Sequence, residues 1–398
     1  MKKALCLIIA ALFLLSTAGC WSMVELERRA IVSGVAIDRS EDGLLEVSCQ
    51  VIKPGEVKTG ILGQRGGGGP PVMVFSARGN TVFEAIREMA SESGRKLFFG
   101  QSKVLIIGEE AARYGIEDML DFFNRDAELR RRAFMAITPG KAADLLYADL
   151  SMAGIPAFGI ADVIEYSRVN SRAAVVRIQD YVREISEASS QSVASRLTIY
   201  EDKRGKKGVR ASGAAVFKEY RMIGYLNEEE TRGLLWVTGQ VKSGIVSAPL
   251  EAEKRVAMEV LRAESKITPE IDNDGARIKI NINVVGNIGE VQDKDLDIND
   301  PKVIPGLEKK LSGTVSQEVW AAINTARELH TDIFGFGEKV RRKYPRQWRD
   351  YSSRWASLFR TIPVEVSVSV VLKRTGKIVN PASQVLSCNN TGKPRQFL

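Results

Sequence analysis

The N-terminus of the chain restricts what the rest of it can become. Residues 1–21 read MKKALCLIIAALFLLSTAGCW, with Lys2 and Lys3 followed by an apolar run from Ala4 to Leu15. A helix that spans the hydrocarbon core of a bilayer needs about 20 apolar residues, and this run is shorter. A short apolar run between two cations and a group of small residues is typical of a secretory signal peptide. Residues 1–19 are therefore predicted to be a signal peptide.

The residues after the apolar run predict how the signal is processed. Gly19, with Ala18 before it, fits a peptidase that accepts only small side chains, and Cys20 follows directly. We predict cleavage between Gly19 and Cys20, with Cys20 accepting a diacylglycerol on its sulfur and an acyl chain on its new amino group. Such chains, buried in a bilayer, hold a folded body at the membrane surface. Thr17 stands where lipoprotein signals usually have leucine, so an ordinary cleaved signal and an uncleaved anchor are the alternatives.

Composition limits the classes of protein that remain. A chain of 398 residues is expected to form two or three domains, and 44% hydrophobic with 27% charged residues suits folded domains. Loss of Lys2 and Lys3 with the signal lowers the formal net charge from +8 to +6. A basic body attached to a membrane favours anionic headgroups or an acidic partner. A nucleic-acid partner is not expected for an exported body.

Cysteine and histidine give little support for catalysis. Beyond the signal and Cys20, the chain has Cys49 in an alternating strand pattern and Cys388 in a polar tail. One disulfide between them is possible, and Cys49 is interpreted as a small buried hydrophobic residue. The single histidine, His330, lies near the predicted end of a helix, where the helix dipole favours it. No Ser-His-Asp site and no multi-histidine metal site is predicted.

The first part of the mature chain, residues 20–193, is predicted to be an α/β domain because helical and strand patterns alternate along it. The apolar segments Ala30–Ile37 and Leu44–Ile52 predict a hairpin, and Lys103–Ile107 predicts a buried strand. Residues 194–243 are predicted to form a middle domain.

Within this middle segment, Arg196–Tyr200 and Arg210–Phe217 predict a second hairpin. Its basic turn, Lys203–Lys207, is interpreted mainly as a solvated tip, with contact to lipid or a partner as the alternative.

The strongest periodicities lie in residues 244–376, which are predicted to form a C-terminal domain. Residues 278–284 and 364–370 alternate apolar and polar side chains, which predicts two strands with one buried face each. A helix is predicted to begin at Asp300-Pro301, with an apolar face made of Leu307, Leu311, Val315, Val319, Ala322, Ala326 and Leu329. We expect an antiparallel-type sheet covered by this long helix, its other face meeting water.

The fold class predicted for the whole chain is α+β or mixed α/β, in three domains. Residues 377–398 are predicted to be a disordered tail.

Three polar groups invite a functional interpretation. Asp293, Asp295 and Asp297 alternate like the start of a calcium loop, but Ile298 and Ile304 stand where that loop needs glycine and glutamate. The simpler interpretation is that these acids lie just before the long helix, near the positive end of its dipole.

The other two groups are a run of acids and a basic-aromatic segment. Glu228 to Glu230 are interpreted as a helix start capped by Asn227 rather than as paired catalytic carboxylates. Residues 341–349 and Trp355 mix cations with aromatic rings, and they are interpreted as aromatics packed beneath a charged face. A membrane interface, a nucleic-acid single strand or a partner protein are the alternatives for this segment. No catalytic, cofactor-binding or metal site is predicted.

A series of motifs resembles one protein family. They are Cys20-Trp21 with Glu25-Leu26, residues 30–38 (AIVSGVAID), 94–108 (GRKLFFGQSKVLIIG), 122–130, 213–218 (GAAVFK), 224–226, 232–236 (RGLLW) and 332–337 (DIFGFG). In this order they closely resemble the C subunits of spore germination receptors, the Ger(x)C or GerAC-like lipoproteins. The series extends from Cys20 to residue 376 and so covers nearly the whole mature chain.

The resemblance implies a three-domain, non-enzymatic lipoprotein on the outer, extracytoplasmic face of the inner spore membrane, anchored through Cys20. It implies assembly with an A subunit and a multi-spanning B subunit into a nutrient germinant receptor. Whether this subunit itself contacts a small-molecule germinant stays open. The main alternative is an extracytoplasmic solute-binding lipoprotein of a transporter, and an envelope hydrolase comes third.

Overall fold

The structure is a computed structural model. It describes residues 29–56, 70–125, 132–148, 154–186, 191–251, 253–272, 275–293, 296, 298 and 300–373. The predicted signal peptide, Cys20, Cys388 and the predicted tail 377–398 lie outside the described residues.

Thirteen strands are described. They are β1 (Arg29–Arg39), β2 (Leu45–Ile52), β3 (Val72–Gly79), β4 (Lys96–Phe98), β5 (Val104–Gly108), β6 (Phe134–Thr138), β7 (Val193–Glu201), β8 (Lys207–Lys218), β9 (Arg221–Leu226), β10 (Ile245–Pro249), β11 (Arg255–Asp272), β12 (Gly275–Val291) and β13 (Val364–Lys373).

Eleven α-helices connect these strands in the described residues. They are α1 (Val82–Ser93), α2 (Glu109–Tyr114), α3 (Glu117–Arg125), α4 (Ala142–Leu146), α5 (Pro156–Tyr166), α6 (Ile178–Ile185), α7 (Glu228–Thr238), α8 (Ile304–Glu328), α9 (Phe336–Lys343), α10 (Pro345–Tyr351) and α11 (Trp355–Thr361).

The first sheet has nine strands in the order β3-β2-β1-β5-β6-β7-β8-β9, with the short β4 also paired to β1. The predicted hairpin is confirmed, because β1 and β2 pair antiparallel with Ile37 opposite Val47. Strands β1, β5, β6 and β7 run parallel to one another. All residues of β5 and β6 are buried, as expected for parallel strands covered on both faces.

Strands β7 to β9 of the predicted middle domain extend this same sheet. Strand β7 pairs in parallel with β6, and the β7–β8 hairpin is confirmed, with its turn at residues 202–206. The first sheet therefore continues across the predicted boundary between the first domain and the middle domain, at residues 193 and 194. The division of the chain into three domains stays a prediction.

The second sheet has four strands in the order β10-β11-β12-β13, and α8 lies across it. The first three strands are antiparallel, as expected, but β13 pairs in parallel with β12. The expected antiparallel type is therefore wrong for this last pair. Helices α8 to α11 carry the chain back to the end of the sheet from which β12 started, so β13 enters in the same direction.

The long helix is confirmed with a different start. Six of its seven predicted apolar residues are buried, and Leu329 is half-buried. The helix begins at Ile304, with Pro305 in its first turn. Asp300 lies in the turn before it, where its carboxylate accepts the N–H of Lys302 (2.9 Å).

Among the described residues, no helix has both the length and the apolar content needed to cross a bilayer.

Candidate functional site

The start of β1 is where the predicted tether joins the folded body. Gly19 and Cys20 lie outside the described residues, so the lipidation site stays a prediction. Arg29 begins β1 and pairs in parallel with Lys96 of β4, and its guanidinium lies 4.9 Å from the centre of the Phe98 ring. Eight residues lie between Cys20 and Arg29, and a fully extended chain over these nine positions spans about 30 Å.

A buried ion pair joins α7 to α8, and we call it the α7–α8 joint. Arg232 donates through Nε to Glu318 Oε2 (2.8 Å) and through Nη2 to Glu318 Oε1. Its Nη1 donates to the carbonyl of Ile245 (2.9 Å), and Trp236 Nε1 donates to Glu318 Oε2 (2.8 Å). Arg232 is 8% exposed and Glu318 is 3% exposed. Such a pair is strongly unfavourable to break, because either partner alone is a buried charge.

The backbones of the two helices come close at the same place. A Cβ placed on Gly233 would lie 2.0 Å from the carbonyl oxygen of Glu318. Only glycine allows this approach. Helix α7 also contacts β8 of the first sheet and β11 of the second. The α7–α8 joint therefore fixes the two sheets relative to each other, and the motif residues 232–236 belong to it.

Asp332, from another of the motifs, caps α9 from inside the protein. Its carboxylate accepts the N–H groups of Phe336 (3.0 Å) and Gly337 (2.8 Å) and the indole N–H of Trp355 (2.9 Å). Burial raises the pKa of Asp332 above its ordinary value, and the N–H donors oppose that rise. The carboxylate thus locks the turn before α9 onto α11.

Asp38, the last residue of the motif at residues 30–38, caps α4 as Asp332 caps α9. It accepts the N–H groups of Ala142 (2.7 Å) and Ala143 (3.0 Å). Burial raises the pKa of Asp38, and these two hydrogen bonds oppose the rise. Gly108 of the next motif lies against it, since a Cβ there would lie 2.3 Å from Asp38 Oδ1. These motif residues therefore determine packing and helix position.

A cleft of about 470 Å³ opens between the first sheet and the C-terminal half. Side chains from α6, α7 and α9 line it, among them Arg183, Leu235, Glu338 and Arg342. Hydrogen bonds from Arg341, and then from Arg342, lower the pKa of Glu338. Glu338 and Arg342, which both line the cleft, are thus already engaged with each other.

The polar groups weighed from the sequence have structural roles. Asn227 caps α7 in a reciprocal pair with Glu230. The Asn227 side chain accepts the backbone N–H of Glu230 (2.9 Å), and the Glu230 carboxylate accepts the backbone N–H of Asn227 (2.7 Å). Asp293 accepts a hydrogen bond from Lys254 (2.6 Å), whereas Asp295 and Asp297 lie outside the described residues.

The basic-aromatic segment also follows the simpler interpretation. Trp348 and Trp355 are buried, with ring centres 5.3 Å apart, and Arg341 pairs with Glu338 on the outer side. His330 follows the end of α8, as predicted.

Two further points concern metal and thiol chemistry. Cys49 is a free, fully buried thiol, and burial raises its pKa to about 12. In the described part of the chain, no group of three or more His, Cys, Asp or Glu side chains is arranged to hold a metal ion.

Sequence reasoning missed Glu318, the acid of the α7–α8 joint. A signal was present, because residue 318 falls on the apolar stripe of α8, three residues after Val315 and four before Ala322. An acid on a buried helix face needs a cation or several donors. Its partner lies 86 residues away along the chain, and the periodicity does not reveal that distance.

The fold and the buried motifs define a mixed α/β protein with two sheets, and comparison with known proteins agrees along the chain. Residues 22–199 match the family model described as the spore germination protein N-terminal domain. Residues 212–376 match the model described as spore germination B3/GerAC like, C-terminal.

The curated relatives match over nearly their full lengths. Spore germination protein KC of Bacillus subtilis (strain 168) is 27% identical, over 96% of this chain and 98% of that protein. Spore germination protein B3 of the same strain is 22% identical, over 95% of this chain and 100% of that protein. The crystal structure of the GerBC protein shares the fold, with a TM-score of 0.55 and 19% identity, over 85% of this chain and 96% of that one.

The chain therefore belongs to the Ger(x)C, or GerAC-like, family of spore germination proteins. The resemblance seen in the motifs is confirmed, and the germination interpretation replaces the solute-binding alternative. Receptor subunits of this family are membrane-associated.

Proposed function

We propose that this chain is the lipid-anchored C subunit of a nutrient germinant receptor. Cys20, freed by cleavage after Gly19, carries the diacylglycerol and the acyl chain that hold the body at the extracytoplasmic face of the inner spore membrane. The chain performs no catalysis in this role. It contributes a rigid, membrane-bound scaffold to which other receptor subunits bind.

The observation that carries the proposal is the lipoprotein signal at the head of a chain that matches spore germination proteins along its length. Lys2 and Lys3, the short apolar run and the small residues before Cys20 together direct export and lipidation. A body exported in this way works where nutrients reach the spore membrane.

The partners proposed are the A subunit and the multi-spanning B subunit of the receptor. Because the α7–α8 joint fixes the two sheets relative to each other, the body presents partners with one fixed arrangement of surfaces. Each surface can then bind a different subunit at a constant spacing.

The proposal is tested by deleting the gene in the spore former that carries it and restoring it in three forms: unchanged, Cys20→Ala and Cys388→Ala. We expect the deletion strain and the Cys20→Ala strain to lose the response to at least one nutrient. The unchanged and Cys388→Ala forms should restore that response, since Cys388 carries no lipid in this account. Immunoblots of all three subunits separate loss of anchoring from loss of protein.

A deletion strain that responds normally to every nutrient, with unchanged levels of the A and B subunits, would overturn the proposal.

A further inference from the structure

One edge of the first sheet carries a cluster of cations. Strands β1, β4, β5 and β6 run in one direction, so their starts face the same end of the sheet; Lys103 and Arg132 lie roughly 10 to 13 Å further along the strands than Arg29 and Lys96. Arg29 begins β1, Arg95 and Lys96 stand at the start of β4, Lys103 precedes β5, and Arg132 lies just before β6. We call these five residues the tether edge.

Four of the five side chains of the tether edge are exposed. Arg95, Lys96, Lys103 and Arg132 are exposed, and Arg29 is half-buried against Phe98. The ammonium of Lys103 lies only loosely over an aromatic ring, 5.9 Å from its centre.

Two charged residues lie beside this edge. Arg177 lies over the Phe134 ring behind it (5.1 Å), but Glu165, 3.6 Å away, offsets its charge, so Arg177 adds little to the positive charge of the edge. Glu92, near the end of α1, adds one negative charge three residues before Arg95. Arg95, Lys103 and Arg132 are exposed and outnumber this one acid, so the edge has a positive excess.

The tether makes this edge the part of the body that starts nearest to the anchor. Arg29 is both a member of the edge and the first described residue after Cys20, at most about 30 Å of extended chain away. The charged residues between them are Glu25, Glu27 and Arg28, which leave a net charge of −1. Attraction to an anionic surface must then come from the folded edge.

The other basic cluster of the sheet, the hairpin tip, lies at the opposite edge. It consists of Lys203, Arg204, Lys206 and Lys207, at the far end of β7. The pairing of Ala136 with Ser195 and a rise of about 3.3 Å per residue put this tip roughly 40 Å from Arg132 along the strands. Electrostatic attraction in physiological salt is screened within about 8 Å, so when the strands stand upright on a membrane only one of the two clusters is close enough to be attracted.

We infer that the tether edge is a docking surface for the anionic phospholipid headgroups of the membrane that holds the anchor. This inference rests on the proposed lipid anchor. The short tether keeps the edge within reach of the bilayer, and its cations select the edge-down orientation. The hairpin tip then points away from the membrane.

The test compares two triple variants with the same loss of charge. The first is Arg95→Gln, Lys103→Gln and Arg132→Gln, and the second is Lys203→Gln, Arg204→Gln and Lys207→Gln. Both are made in the mature chain, residues 20–398, with Cys20→Ala, so that no lipid contributes. Each is sedimented with vesicles of phosphatidylcholine alone and with equimolar phosphatidylcholine and phosphatidylglycerol.

The unsubstituted body should bind the anionic vesicles and not the neutral ones, and added salt should release it. Each cation near an anionic membrane raises the binding constant about fivefold. Removal of three cations should therefore lower the binding constant of the edge variant on the order of a hundredfold. The binding constant of the tip variant should fall by less than a tenth of that factor. Equal losses in the two variants would show an effect of net charge alone and would overturn the inference.

Two outcomes in spores separate this inference from the proposed function. If edge-substituted spores germinate poorly while vesicle binding is unchanged, the edge binds an acidic protein and the lipid assignment is wrong. If Cys20 carries no lipid, the proposed anchor fails, whatever the vesicles show.

A second measurement reports orientation in the lipidated protein. In a Cys388→Ser background, a fluorophore on Gln101→Cys at the tether edge is compared with one on Lys203→Cys at the hairpin tip. Headgroup spin labels in the vesicles should quench the first strongly and the second weakly. The reverse order, or equal quenching, would overturn the inference.

Discussion

The α7–α8 joint and the tether edge both depend on arginine, and they use it in opposite ways. Arg232 is buried and makes its hydrogen bonds to Glu318 and to the Ile245 carbonyl within the protein. Arg95 and Arg132 are exposed and are available to groups outside it. A buried arginine therefore stabilises the arrangement of the two sheets, whereas exposed cations leave the fold unaffected and serve binding. The predictions below follow this contrast from the largest expected effect to the smallest.

The largest effect is expected from Glu318→Ala. This change leaves the guanidinium of Arg232 buried without its carboxylate and removes the acceptor for Trp236 Nε1. Breaking a buried pair in this way costs about 3 to 5 kcal/mol of unfolding free energy. Urea denaturation measures it, with Glu328→Ala on the exposed face of the same helix as the control. Equal losses in the two variants would show that the joint does not hold the fold.

The next effect concerns the close approach of α7 and α8. Gly233→Ala places a methyl group against the Glu318 carbonyl, so the helices must separate, at a cost of about 1 to 3 kcal/mol. Gly313→Ala, at an exposed position of α8 with no atom near the added Cβ, should instead stabilise the protein by up to about 1 kcal/mol. Thermal denaturation of the two variants distinguishes them, and losses of similar size in both would refute the close-packing argument.

A smaller, pH-dependent effect is expected at Asp332. Burial raises the pKa of Asp332, so above pH of about 4 the native state keeps a proton that the unfolded chain has released. The stability contributed by this residue is therefore largest at low pH and declines as the pH rises through the raised native value.

Asp332→Asn abolishes this titration and also replaces one of the two oxygens that accept the N–H groups of Phe336 and Gly337 with an amide donor, at a cost of about 1 to 3 kcal/mol. The difference in unfolding free energy between the unchanged protein and the variant should shrink as the pH rises from about 4 toward 7. Urea denaturation across this range measures that difference. A difference that grows with pH would mean that the N–H donors outweigh burial at this carboxylate.

The smallest effect on stability is expected at the tether edge. The triple change of Arg95, Lys103 and Arg132 to glutamine should alter the unfolding free energy by no more than about 0.5 kcal/mol per residue, because these side chains are exposed. The same substitutions should weaken binding to anionic vesicles strongly. Thermal denaturation beside vesicle binding measures both, and a large loss of stability would erase the contrast with the α7–α8 joint.

Local features of the fold were predictable because their signals are short-range. The alternation over residues 278–284 and 364–370 predicted strands with one buried face, and the spacing of apolar residues predicted α8. The cap at Asn227 was predictable for the same reason, since Asn and Glu three residues apart are typical of a helix start.

Features that depend on distant pairing were not predictable in this way. The alternation of apolar and polar residues shows which face of a strand is buried. It does not show in which direction the strand runs relative to its neighbour, so the parallel pairing of β12 and β13 was not expected. The continuation of the first sheet into β7 likewise depends on a pairing between Ala136 and Ser195. For the candidate site, the chemistry of Cys20 came from a local signal, but the tether edge required the parallel order of β1, β5 and β6.

The central claim is that a short tether at Cys20 attaches this body to the spore membrane. The most direct measurement is tandem mass spectrometry of the N-terminal peptide of the protein purified from spore membranes. The account predicts a peptide that begins at Cys20, followed by Trp21, with the mass of a diacylglycerol on the cysteine sulfur. A peptide that still contains residues 1–19, or one that begins at an unmodified Cys20, would contradict it.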